Sequence, residues 1–542
     1  MAVQTWYERE RRSAGVTPDP PDEPPVDPPA GNDEVTVYSW KSGPSNQRFV
    51  GQPNFTTSLY NGTLTSRPVR CDSSTASRRQ RIEGWGGAIT QSTAMVLMGM
   101  APAARTALLR SIFHPTDGDG MNFVRICFGS SDFELDDGSP PRKDANGKIV
   151  EAWSSYIYTY DDLPNGQTDM DLSQISFARD MEYIVPILQQ IKALNPSVLI
   201  KAAPWSAPRW MKTGLPNAYP NNSEGVLQAG MRDVYVSYLV KACAWYETKG
   251  LHIDYIAIQN EPTTSNPWAT TYYTWQNAIP VYVKLRAALD AAAGQLGGAP
   301  AKIQCLDNGI NKISWVNSIY GDAAAKAAVD GSAWHTYAAN VHTTDLSGLH
   351  DNFPGKHMWL TEGTPSQTAE ISTELTKMMA LFWLGAPQNW CKAVIYWNLV
   401  LDQIGGPYYT NGGNGFSQPF VTVWDRAVNG HLKDELKYDP TYAAFQHVAK
   451  IKQGAYIGPC DNYPGNPDAY QTRVTTPLDG WDFLFAVNPD GQRVLVCNSN
   501  KANTTSPAFK VIDQTTGTNA VNRQFTINPD PNTTTTYVWA GP

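Results

Sequence analysis

Residues 198–207 read VLIKAAPWSA, residues 231–250 read MRDVYVSYLVKACAWYETKG, and residues 254–262 read DYIAIQNEP. The outer two are short apolar runs of strand length. The segment between them carries apolar residues at helical spacing. Strand, helix and strand in that order form one β-then-α repeat. Six more runs extend the pattern in both directions: IEGWGGAIT (82–90), NFVRICFGSSDF (122–133), AKIQCLDNG (301–309), SAWHTYA (332–338), HMWLTEG (357–363) and AVIYWNLVLD (393–402). FARDMEYIVPILQQIKAL (177–194) and VYVKLRAALDAAAGQL (281–296) supply helices in two further gaps. The gap after the sixth run is too short to predict one. Eight such units predict an α/β fold, a (β/α)8 TIM barrel over residues 81–439. A doubly wound open sheet would usually stop at about five to seven strands.

The chain ends read differently. Residues 33–80 predict strands in VTVYSW, QRFVG and SLYNGTLTS, the last with an Asn61-Gly62 turn. Residues 440–542 predict a last barrel helix, then a hairpin, FLFAVNPDGQRVLVCNS (483–499), and a final strand, TTTTYVWA (533–540). Residues 1–32 form a charged stub followed by GVTPDPPDEPPVDPPAG (15–31). Proline at that density makes an extended, semi-rigid linker. No apolar stretch follows Met1–Arg12, so no Sec-type signal peptide is visible.

Composition narrows the function. A chain of 542 residues accommodates a barrel of ~250 residues or more with an appended module. Hydrophobic residues at 42% and charged residues at 17% are globular proportions. The net charge of −8 argues against nucleic acid and anionic membranes as partners. No apolar run reaches the ~18 residues that span a bilayer. Seven scattered cysteines without CxxC spacing read as buried thiols, with room for a single bridge such as Cys460 to Cys497. There is no HExxH, GxxxxGK[ST] or GxSxG motif, and no metal or cofactor is expected.

In a barrel, reactive groups sit at the C-terminal ends of the strands. Glu261 ends the fourth run and Glu362 the seventh, nearly opposite across the barrel mouth. Two facing carboxyls are what glycoside hydrolysis needs, one to donate a proton and one to attack the anomeric carbon. Trp85, Asp132, Phe133, Trp205, Tyr337 and Trp397 also fall at run ends. Aromatic faces stack on a pyranose, and Asp132 can accept hydroxyl hydrogen bonds. A carbohydrate is therefore the expected partner.

GWGGAIT, RICFGSSDF, APWSAPRWMKT, IAIQNEP, AWHTY, WLTEG and YWNLVLDQIGGP occur here in an order that resembles glycoside hydrolase family 30. That family includes glucosylceramidases, β-xylosidases and endo-β-1,6-glucanases. The resemblance runs from about residue 82 to 410 and continues through YDPTYAAFQHVAKIKQGAYI (438–457) and the final strands. It implies a side β-sandwich built from both chain ends. It also implies a retaining O-glycosyl hydrolase that cuts β-linked glucoside-type, xyloside or galactoside bonds of a polysaccharide or glycoconjugate. Glu261, after Asn260, takes the acid/base role and Glu362 the nucleophile role. Asp132, Phe133, Trp205, Asn260, Tyr337 and Trp397 hold the sugar, Asn260 through the 2-hydroxyl. Arg125, His335 and Asn398 support them.

Arg125 and Tyr337 should then keep the Glu362 pKa low. Partial burial and the Glu362 charge should raise that of Glu261. The carboxyls should stand about 5–5.5 Å apart. Two positions depart from the family pattern: Gly363-Thr364 follows the nucleophile where many glucosylceramidase-type members have Ala-Cys, and Thr336 replaces a frequent Trp. WNLVLDQIGGP is more similar to the glucosylceramidase and β-1,6-glucanase branches than to the glucuronoxylanases, but nothing points to ceramide. Two other functions fit the same residues: a glycan-binding barrel that does not cut, and a virion-associated (phage tail) depolymerase joined to a larger assembly through residues 1–31. The linker with no visible signal peptide motivates the second, so an extracellular or virion-associated location is expected.

Overall fold

The computed structural model describes residues 34–43, 47–62, 67–134, 142–143, 149–151, 158–164, 166–213, 225–264, 270–337, 344–365, 371–407, 417–461, 481–499, 506–515 and 521–541. The stub and proline-rich linker of residues 1–32 lie outside these. The chain forms two compact units. One takes the described residues of Met1–Trp85, Ala369–Lys392 and Asp439–Pro542, the other those of Gly86–Thr368 and Ala393–Tyr438.

Eight strands close a barrel in chain order. They are β1 (Gly84–Ile89), β2 (Phe123–Phe128), β3 (Leu199–Pro204), β4 (Tyr255–Ile256), β5 (Lys302–Gly309), β6 (Gly331–His335), β7 (His357–Glu362) and β8 (Cys391–Tyr396). Each falls within one of the eight runs or overlaps it. β2 is buried along its whole length, as expected of parallel strands covered on both faces. Glycine lets β1 approach β2: a Cβ on Gly86 would sit 2.2 Å from the Phe123 carbonyl oxygen.

Helices follow local signals. Thr90 Oγ1 accepts from Thr93 N–H at 3.3 Å and caps Gln91–Gly99. Pro102 opens Pro102–Phe113. Ile184–Leu194 buries Ile184, Val185, Ile187, Leu188 and Ile191, one apolar face of a helix. The stretch predicted as a single helix over 177–194 breaks at Tyr183 into Ala178–Glu182 and Ile184–Leu194. The short gap after the sixth run does hold a helix, Thr344–Asn352. Its polar sequence gave no apolar periodicity to read.

The other unit is a β-sandwich. A six-stranded sheet runs Gln47–Thr56, Thr36–Gly43, Thr534–Trp539, Arg493–Ser499, Trp481–Val487, Tyr456–Gly458. A five-stranded sheet runs Cys460–Asp461, Pro68–Asp72, Phe509–Gln514, Arg523–Ile527, Ser58–Leu59. Val37, Phe485, Leu495 and Trp539 of the first pack with Val69, Phe509, Val511 and Phe525 of the second in one apolar core. Both chain ends contribute strands to each sheet. All seven cysteines are free. The cross-strand partner of Cys460 is Cys71, not Cys497.

Candidate active site

Two β-bulges aim the acidic groups. Leu306 of β5 pairs with Ala333 and Asn308 with Trp334, which leaves Asp307 as the extra residue. On β7, Leu360 pairs with Trp334 and Glu362 with His335, which leaves Thr361 extra. A bulge bends its strand and redirects a side chain. Leu306 and Asp307 have φ of +69° and +60°, and Glu261, past the end of β4, has +49°. These left-handed values are costly for residues with a Cβ, and such strain gathers at functional sites. The Glu261 N–H donates to the Asp307 carbonyl at 2.9 Å, so two of the strained segments hold each other.

Arg125, fully buried on β2, is the hub. Its Nη1 donates to Glu362 Oε2. Its Nη2 donates to Asn260 Oδ1 at 2.6 Å and to Asp307 Oδ2 at 3.0 Å. Its Cζ lies 4.9 Å from the ring centre of Trp205 and 5.4 Å from that of Trp397, within cation–π range. Tyr337 Oη donates to Glu362 Oε1 at 2.5 Å. His335 places Nδ1 3.1 Å from Glu261 Oε1 and Nε2 3.3 Å from Asp307 Oδ1.

These contacts set the charges. Burial favours a neutral Glu362, but the His335 and Arg125 charges and the Tyr337 hydrogen bond outweigh it and hold its pKa below the ordinary glutamate value. The expectation for Arg125 and Tyr337 therefore holds, with His335 added. Burial also opposes the His335 charge, yet Glu362, Asp307 and Glu261 push its pKa up to about 9, so the imidazolium is the resting form. Asp132 moves the other way. Desolvation, then the charges of Glu362 and Glu261, raise it to about 8. A neutral carboxylic acid donates a hydrogen bond as well as accepting one.

The structure brings Glu261, Glu362, Asn260, Arg125, His335 and Tyr337 into one bonded group. Trp205 and Trp397 lie beside it but are 2% and 3% exposed and stack on each other at 5.4 Å. Phe133 packs edge-on against Trp397 at 5.8 Å. Asn398, two residues past β8, is fully buried, and neither of its side-chain polar atoms has a partner among the described residues. Such a group suits a polar ligand. Trp85 is a correction. It is the second residue of β1, at the start of the strand and not its end, and its indole N–H donates to the Ile451 carbonyl at 2.7 Å. It is a core residue.

Sequence reading missed Asp307, Lys201 and Thr361. Asp307 Oδ1 accepts from Thr361 Oγ1 at 2.6 Å, and Oδ2 accepts from Lys201 Nζ at 2.6 Å. Asp307 closes the fifth apolar run, the same signal that marked both glutamates. Lys201 is a lone charge inside the run VLIKAAP. Glu261, His335 and Glu362 also place ligand-type atoms within 4.8 Å of one another. Glu362 is occupied by Arg125 and Tyr337, and a protonated His335 offers no lone pair, so this group does not suit a cation.

A closed (β/α)8 barrel with paired carboxylates at the ends of its fourth and seventh strands defines a glycosidase. Residues 149–447, more than half of the chain, match the glycosyl hydrolase family 30 TIM-barrel domain. The chain is 29% identical over 460 residues to endo-1,6-beta-D-glucanase neg1 of Aspergillus fumigatus, covering 82% of this chain and 83% of that one. It is 27% identical over 366 residues to the lysosomal acid glucosylceramidase of Mus musculus, covering 60% and 61%. The solved structure of the endo-beta1,6-glucanase BT3312 superposes with a TM-score of 0.74 at 25% identity, over 94% of this chain and all of that one. The protein belongs to glycoside hydrolase family 30 and is an O-glycosyl hydrolase.

Proposed function

We propose that this enzyme cleaves β-1,6-linked glucan internally, with retention of anomeric configuration. One observation carries the retaining mechanism. An oxygen of Glu261 and an oxygen of Glu362 lie within 4.8 Å of each other. Inverting enzymes separate their carboxyls by ~6.5–9.5 Å to admit a water, and retaining ones by ~5–5.5 Å. Relatives named endo-1,6-beta-D-glucanase support the substrate.

Glu362, kept ionised by Arg125, His335 and Tyr337, attacks the anomeric carbon while Glu261 hands a proton to the leaving oxygen. A glycosyl ester on Glu362 results, and the Glu362 charge is lost. Glu261 then takes a proton from water, which attacks the same carbon and frees Glu362. The Asn260 Oδ1 is taken by Arg125, so its NH2 is the end left to donate to the sugar 2-hydroxyl. That bond strengthens as the oxocarbenium-like transition state forms. We infer an extracellular or virion-associated site of action, since a polymeric substrate is met outside a cell.

The test is reducing-end release from linear β-1,6-glucan, with β-1,3-glucan, xylan and aryl β-glucosides alongside and Glu362→Gln as the blank. Release from the β-1,6-polymer with the β-anomer appearing first by NMR supports the proposal. An α-anomer would refute retention. Release from another glycan only would move the substrate.

A further inference from the structure

Behind the residues that face the sugar lies a pair that the two-step reaction does not use. Lys201 on β3 and Asp307 on β5 are both fully buried. Their ion pair is 2.6 Å long. Asp307 also receives Arg125 Nη2, His335 Nε2 and Thr361 Oγ1. Arg125 turns its other terminal nitrogen to Glu362. His335 turns its other ring nitrogen to Glu261. One carboxylate thus grips the rear of both cations whose fronts grip the two glutamates. A lysine inside a barrel is costly unless paired, so its presence needs a reason.

We propose that Lys201 and Asp307 are a positioning pair: Asp307 orients Arg125 and His335 toward Glu362 and Glu261, and Lys201 supplies the charge that keeps Asp307 from absorbing theirs. The assignment rests on the roles proposed above for the two glutamates. Arg125, Lys201 and protonated His335 carry three positive charges. Asp307 and Glu362 carry two negative ones, and Glu261 adds a third when ionised. Without Lys201, the field on Glu362, Glu261 and His335 turns more negative and each holds its proton to higher pH. Lys201 faces Arg125, Asp307 and Glu362; the glutamates are also faced by His335, Tyr337, Asp132 and Cys127. Burial lowers the Lys201 ammonium to about 8, with Asp307 opposing, so it stays charged at neutral pH.

The test uses the full chain with Lys201→Met and Asp307→Asn. His335 is titrated by NMR, its signal assigned with His335→Gln, and the pH profile of kcat/KM is recorded on whichever glycan the wild type cleaves. Lys201→Met should raise the His335 pKa by roughly one unit and move both limbs of the profile up together. Asp307→Asn should lower the His335 pKa and cost about 100-fold in kcat/KM. Opposite shifts from the two variants are the signature of a charge pair. Lower activity with an unchanged profile and unchanged His335 titration would make the pair merely structural and overturn the proposal. If Lys201→Met does not fold, Asp307→Asn alone decides by the direction of the His335 shift. The titration needs no substrate, so a failure of the β-1,6-glucan reading leaves it intact.

Discussion

Asp132 and Glu362 are both acidic residues at the mouth of one barrel, yet their environments push them apart. Glu362 is held below its ordinary range by His335, Arg125 and Tyr337. At Asp132, burial and the charges of Glu362 and Glu261 outweigh the pull of Arg125, and its pKa rises to about 8. Asp132→Asn should therefore keep much of the wild-type activity at pH 6, because an amide also donates a hydrogen bond, whereas Asp132→Ala should lose about 10- to 100-fold through the lost hydrogen bond. Equal losses in the two variants, measured as kcat/KM, would mean that Asp132 acts as an anion. The sign for stability follows. Folded Asp132 keeps its proton from about pH 3.8 to 8 while the unfolded residue loses it, so this residue lowers stability progressively through that window. Asp132→Asn should raise Tm at pH 8 and leave it unchanged at pH 3.5. Glu261→Gln should cost about 10²- to 10⁴-fold on glucan, and far less on an aryl glycoside whose leaving group needs no proton. A uniform loss on both substrates would take the acid role away from Glu261.

At the scale of elements, the eight strands were legible because strands buried on both faces must be apolar, and their ends must change character where the pocket begins. Glu261 and Glu362 announced themselves in that way. Asp307 ended its run equally plainly, but an isolated acid beside Asn308-Gly309 also reads as a turn. Trp85 differs because an aromatic within an apolar run carries no mark of its position along the strand, and it stands second in β1. The bulges at Asp307 and Thr361 left no sequence mark at all. They are set by neighbouring strands, and local propensity does not encode them. Register can be tested directly. A Cβ on Gly331 would meet the His357 carbonyl oxygen at 2.0 Å, so β6 can pair with β7 only where a glycine stands. Gly331→Ala should destabilise by about 3 kcal/mol or more in urea unfolding, and a loss below ~0.5 kcal/mol would show that the strands separate freely.

At the scale of the molecule, the sandwich ties together segments from opposite ends of the sequence, and its paired thiols offer a direct probe of that arrangement. Cys71 and Cys460 are cross-strand partners separated by 389 positions in the chain. The Asp72 N–H donates to the Pro459 carbonyl at 3.1 Å, so the cysteines occupy a narrow, non-hydrogen-bonded pair in which side chains come closest. Their sulfurs are 3.8 Å apart. Oxidised glutathione should couple them. The partly exposed Cys460 thiolate displaces one glutathione, and the Cys71 thiolate then displaces the other, giving one protein disulfide and two reduced glutathiones. Closing so long a loop stabilises toward the upper end of the ~2–5 kcal/mol range, a rise of a few degrees in Tm. Peptide mapping after alkylation in denaturant should find Cys71 linked to Cys460 and the other five thiols alkylated. Cys71→Ser should leave Cys460 as a mixed disulfide with no gain in Tm. Recovery of Cys71 and Cys460 both alkylated in the wild type would mean that the two strands do not pair in this register.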